Sequence, residues 1–171
     1  DGAAIIKTTY IGTNDNGSTA DGNDLVYGIQ FDKFGFPYIM GATTGNWQAF
    51  NAAFSNAGGK QFIGKLKPDL SGYVYTTMFG TNSALPNISP VAFLVDRCQN
   101  VYVSGWGGAL NTSKSYPNAG TGGMEFLITQ GAVQRTTDRN DFFFFVLEKN
   151  ATSQLYGTFF GQTGGFTDHV D

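Results

Sequence analysis

His169 and Cys98 are the only histidine and the only cysteine among 171 residues, so mechanisms that pair a nucleophile with an imidazole base have one base to draw on. Any such mechanism must use His169 in the terminal strand and bring three groups together there, and His169 reads instead as an edge or core-lining polar residue. A lone cysteine cannot close a disulfide within this sequence or furnish a Cys-based metal site, although a bridge to a part of the chain outside this sequence stays open. The run Asp15 to Asp24 is rich in oxygen ligands. Counting Asp15 as the first ligand of a calcium loop, however, puts Ala20 where a glycine is needed and Val26 where a bidentate acid is needed. A solvated loop is the expectation, with calcium as the alternative, and no metal or cofactor site is assigned. The glycine-rich stretches 105–108 and 120–123 lack the strand-to-helix context and the Lys-Ser/Thr pair of a phosphate cradle. Nothing in the sequence selects two catalytic carboxylates from thirteen acids, and no catalytic residue is assigned.

Aromatic side chains offer a different chemistry. Trp106, Tyr116 and Phe126 stand in a Gly, Asn and Ser background within the stretch 106–130, and Trp47 lies in a comparable loop earlier in the chain. Exposed rings with small polar neighbours suit ligand binding, including stacking on sugars. The alternative is that the rings anchor their loops to the sheets beneath. Asp32 and Asp96 both precede short turns, where a carboxylate commonly accepts backbone N–H bonds, and are read as structural turn carboxylates.

The elements that must carry these residues are strands. Glycine numbers 24, charged residues are 13% and aromatic residues 15%, which disfavours helices and favours a packed pleated surface. A net charge of −3 with ten scattered Lys and Arg lacks the footprint of a nucleic-acid binder. The longest strongly apolar run, Phe142 to Leu147, is far shorter than the roughly 20 residues of a membrane-spanning helix.

Three motifs recur in one order along the chain. Ile29-Gln30-Phe31-Asp32 with Tyr38-Ile39-Met40-Gly41 returns as Phe93-Leu94-Val95-Asp96 with Tyr102-Val103-Ser104-Gly105. Phe62 to Leu66 aligns with Phe143 to Leu147, and Tyr75 with Tyr156. Thr9-Tyr10-Ile11-Gly12, Thr77-Met78-Phe79-Gly80 and Thr158-Phe159-Phe160-Gly161 form the third set. Each unit parses into four strands bounded by turn residues: Leu25 to Asp32, Pro37 to Ala42, Gln61 to Leu66 and Tyr73 to Phe79, then Val91 to Val95, Val101 to Gly105, Phe142 to Leu147 and Leu155 to Phe160. Strands one and two, and three and four, are joined by short turns. The other connections are long and must share one edge of an antiparallel meander. Cys98 falls in the turn position held by Phe34 and is expected as a packed thiol.

Four-stranded antiparallel units in series predict an all-β fold, a β-propeller segment with two full blades and partial blades at both ends. The expected boundaries are 1–12 for the last strand of a preceding blade, 24–80 for one blade, 88–161 for another carrying the insertion 106–130, and 168–171 for the start of a next one.

The pattern of Asp32, Tyr38 and Gly41, followed by Ala53, Phe54, Gly58, Gly59, Phe62, Lys65, Leu66, Pro68, Tyr75, Thr77 and Gly80, resembles the bacterial SBBP-type β-propeller repeat. The second unit departs from it, with Glu148 and Lys149 in place of the Lys-Pro pair. The phrase from Val95 to Gly108, with Phe145 to Ala151, is similar to large Bacteroidetes cell-surface proteins, which join such propellers to PKD modules and a gliding-associated, type IX secretion domain. The resemblance implies an extracellular or outer-surface, non-enzymatic module acting as scaffold or adhesive surface. Its partners would be other blades of a longer chain, and glycans or cell-surface proteins. The competing expectation is a carbohydrate-active enzyme domain whose loop carboxylates lie partly outside this sequence.

Overall fold

Short apolar runs separated by Gly, Asn, Asp and Pro can satisfy their backbone groups only by pairing with each other, and the computed structural model, which describes residues 4–13, 24–107, 120–162 and 164, is built this way. Strands β1 (Asp24–Phe31), β2 (Pro37–Thr43), β3 (Gln61–Leu66) and β4 (Tyr73–Phe79) form one sheet. Strands β5 (Ser89–Val95), β6 (Val101–Trp106), β7 (Phe142–Leu147) and β8 (Gln154–Phe160) form a second. Both are antiparallel, with neighbours in sequence neighbouring in space.

The two sheets share their irregularities as well as their order. A register shift falls between Val26 and Gly28 in β1 and between Pro90 and Ala92 in β5. Another falls between Lys65 and Leu66 in β3 and between Val146 and Leu147 in β7. A bulge flips which residues face which side, so matching bulges give the sheets matching faces. One face carries Ile39, Phe62 and Met78 in the first sheet and Val103, Phe143 and Phe159 in the second. The opposite face carries Tyr38, Ile63 and Tyr75 in the first and Tyr102, Phe144 and Tyr156 in the second.

Packing joins unlike faces. The Tyr38, Ile63 and Tyr75 face of the first sheet meets the Val103, Phe143 and Phe159 face of the second in a single core cluster. Phe79 stacks on Phe145 with ring centroids 4.8 Å apart, and Phe54, from the β2–β3 connection, approaches the same ring at 5.5 Å. Gly28 permits β1 and β5 to approach: a Cβ there would lie 2.9 Å from the Phe93 Cβ. The first sheet's other face is closed by Trp47 and Leu70 of its own connections and by Ile11 from the segment before β1, packed with Tyr73 of β4 over Ile39, Phe62 and Leu66.

The segment Ala4 to Ile11, expected as a strand, has no ladder partner among the described residues. Ile5, Ile6 and Tyr10 lie in the open, and only Ile11 joins a core. The expected strand at 168–171 lies outside the described residues.

The Tyr75 hydroxyl is buried with no hydrogen-bond partner. An unsatisfied buried polar group costs about 1–3 kcal/mol, so Tyr75→Phe is expected to raise stability by about 1 kcal/mol in urea unfolding.

Candidate functional site

At the short-turn edge of the seam, a tight turn brings the carboxylate of Asp32 back onto its own backbone. Its Oδ1 accepts the N–H groups of Phe34 at 2.9 Å and Phe36 at 3.0 Å. Its Oδ2 meets the Lys65 ammonium at 3.1 Å, and the Asp32 side chain is wholly inaccessible to solvent. Lys65 Nζ also donates to Gln99 Oε1 of the second sheet at 2.8 Å and lies over the rings of Phe36 and Tyr38 at 4.4 and 4.9 Å. A buried charge is tolerated only when paired and hydrogen-bonded, and this one is held from both sheets. Burial pushes the Asp32 carboxyl upward, but the Phe36 amide, Lys65 and the Phe34 amide outweigh it and leave its pKa below the ordinary value. Burial and the neighbouring Asp32 push the Tyr38 hydroxyl far up, which keeps it neutral.

The corresponding turn of the second sheet has the carboxylate without the lysine. Asp96 accepts from Asn100 N at 2.9 Å, Asn100 Nδ2 at 3.1 Å and the Tyr102 hydroxyl at 3.2 Å. Val146 occupies the ladder position that Lys65 holds in the first sheet. Both aspartates therefore organise turns, and only Asp32 reaches across the seam. Cys98, in the same turn as Asp96, is exposed rather than packed, as is Phe34 at the equivalent turn position of the first sheet.

The long-loop edge is pinned by a different residue. Asn87 Oδ1 accepts from Thr81 N at 2.7 Å and Thr81 Oγ1 at 2.9 Å, while its Nδ2 donates to the Gly120 carbonyl at 3.2 Å. A cleft opens beside it, lined by Thr81, Ser83, Asn87, Gly122, Gly123 and Arg139 among others. Arg139 is exposed at φ 85° and packs over Gly122, and its guanidinium has no ion-pair partner among the described residues.

The aromatic candidates are divided by the structure. Trp47 is buried and stacked on Phe62, with centroids 3.8 Å apart and planes within 4°, so its ring is an anchor and not an offered face. Trp106 is likewise buried, at the end of β6 between Ser89 and Phe142. Tyr116 lies outside the described residues. Phe126 alone is exposed, at 59%, three residues along from Gly123 of the cleft. Met124 and Leu127 of the described end of the insertion are buried in the core. Its backbone crosses β8 where only Gly157 leaves room for the Leu127 carbonyl.

Sequence reasoning missed Lys65, Gln99, Asn87 and Arg139. Of the run Asp15 to Asp24, only Asp24 is described, and its Oδ2 accepts from Thr13 N at 2.6 Å and Thr13 Oγ1 at 3.0 Å. Among the described residues no group of three or more His, Cys, Asp or Glu side chains could hold a metal ion, and no helix is long and apolar enough to cross a membrane. No protein-family model matches the chain, and no curated protein matches it.

Removing one partner of a buried ion pair typically costs about 3–5 kcal/mol. Lys65→Met is expected to lose that much in urea unfolding, with part recovered when Asp32→Asn is added. The depressed Asp32 pKa sets the sign with pH. Its contribution is complete above the unfolded value near 3.8 and is lost as pH falls through the folded value, so Asp32→Asn is expected to flatten the acid limb of a stability profile.

Proposed function

We propose that the chain is a non-catalytic β-propeller segment of a secreted or cell-surface protein, a scaffold whose long-loop edge binds saccharide. The stacking of unlike faces carries the architectural part of this reading. Two sheets that close as a simple sandwich pair their inner faces and stop. Sheets that stack in the same sense, each laying one face on the opposite face of its predecessor, continue around an axis. Matching bulges and the shared Asp-Tyr turn favour that arrangement, in line with the repeat that the sequence resembles.

The binding part is supported by the cleft beside Asn87. Hydroxyl, amide and glycine backbone groups line it, and Arg139 presents a guanidinium suited to planar recognition of a carboxylate. The exposed ring of Phe126, three residues along the chain from Gly123 of the cleft, supplies a stacking surface. An acidic sugar, a uronate unit within a polysaccharide, uses both features. Outer-surface placement agrees with such a ligand.

A glycan array containing neutral and uronate-bearing oligosaccharides tests the binding reading. The expected result is uronate binding that Arg139→Ala and Phe126→Ala each weaken tenfold or more, while the melting temperature stays within a few degrees. Absence of glycan binding, or binding indifferent to both substitutions, contradicts it.

A further inference from the structure

A lysine amine and a glutamine amide are held together across the seam, out of water. Lys65 Nζ donates to Gln99 Oε1 at 2.8 Å and faces Asp32 Oδ2 at 3.1 Å. Gln99 is 7% exposed, and the Lys65 and Asp32 side chains are 5% and 0% exposed. The rings of Phe36 and Tyr38 wall the ammonium, and the Tyr38 hydroxyl lies 3.5 Å from Asp32 Oδ2. A nucleophile, a carbonyl and a proton acceptor therefore share one site, fixed in place by both sheets.

The surroundings of the two carbonyl-bearing groups assign their roles. Burial pushes the Asp32 carboxyl up, but the Phe36 and Phe34 amides on its Oδ1, with Lys65, outweigh this and keep it ionised. A carboxylate is a poor electrophile and a good proton acceptor. Gln99 is neutral and turns its carbonyl toward Nζ. Its backbone is set at φ 70° by the turn, with its N–H on the Asp96 carbonyl at 3.0 Å. Among the described residues its amide nitrogen has no hydrogen-bond partner that would retain it.

We propose that Lys65 and Gln99 join in an isopeptide bond that crosslinks the two sheets, with Asp32 as the proton carrier. The ammonium gives one proton to Asp32 Oδ2, and the free amine adds its electron pair to Gln99 Cδ. The bond from Cδ to Nε2 then breaks as Nε2 takes a second proton from the attacking nitrogen, and ammonia departs. The new amide keeps the third proton. Asp32 is left as a neutral acid, so no unpaired charge stays buried. Nothing is oxidised or reduced, and no further reactant is consumed.

The ion pair is the arrangement that precedes the bond, bringing the sheets into register before the link closes a span of 34 positions. The second sheet has Val146 at the equivalent of Lys65, so the turn of Asp96 has no amine to react. The inference does not depend on the saccharide cleft or on how the sheets continue.

Intact mass spectrometry of the folded wild-type chain, followed by sequencing of its tryptic peptides, tests this. The expected mass is one ammonia below that of the sequence, with trypsin blocked at Lys65 and a branched peptide joining Lys65 to Gln99. Lys65→Arg, which keeps the charge but forms no such bond, is expected to show its full mass with native amide protection. Asp32→Ser, whose hydroxyl still accepts the turn amides, is expected to link about a hundredfold more slowly in its folded fraction. A wild-type chain of full mass overturns the proposal. An ammonia loss that maps to an asparagine, or that persists in Lys65→Arg, overturns it as well. Loss of water with Lys65 joined to Asp32 overturns the assignment of Gln99, and an unchanged rate in Asp32→Ser overturns that of the proton carrier.

Discussion

The Lys65 ammonium sits between two sheets where little water reaches it, and the seam is arranged to make that position tolerable. Asp32 supplies the opposite charge, Gln99 a neutral acceptor from the other sheet, and Phe36 and Tyr38 two ring faces. Apolar packing could be satisfied by several relative shifts of one sheet over the other, because Phe and Val contacts are nearly non-directional. A buried charge cannot shift without losing its partners. The apolar contacts thus provide most of the attraction, while the ion pair fixes the register at which it acts.

At the opposite edge Asn87 performs a related service without charge. Its side chain binds Thr81 and Gly120, tying the connection between the sheets to the insertion. The cleft with Arg139 exists because these two loops are drawn together there. The proposed binding surface is therefore a consequence of how the seam is closed, and Gly107, where a Cβ would lie 2.8 Å from the Gly120 Cα, lets the two backbones approach there.

The eight strands were legible because each apolar run is bounded by turn-forming residues, whereas the equivalent bulges are visible only in the ladders. Asp32 and Asp96 were legible as turn carboxylates for the same local reason. Long-range partners were not. Lys65 and Gln99 are separated by 34 positions, and nothing in the run Gln-Phe-Ile-Gly-Lys-Leu signals that its lysine will be buried. The aromatic loop residues were ambiguous in kind: a tryptophan can anchor or attract, and Trp47 and Trp106 anchor while Phe126 points outward. Cys98 departed from expectation because this turn position faces outward in both sheets, as the exposed Phe34 of the first sheet shows. No pattern marked Asn87, since an asparagine in a loop ordinarily meets solvent.

The account depends on which face of the second sheet meets the first, and side-chain NOEs in an NMR spectrum read that directly. Phe145 is predicted to show strong ring contacts to Phe79 and Phe54, and Phe79 none to Phe144, whose side chain projects from the opposite face of β7. Contacts from Phe79 to Phe144, with Phe145 facing solvent, would contradict the stacking and with it the architecture proposed for this chain.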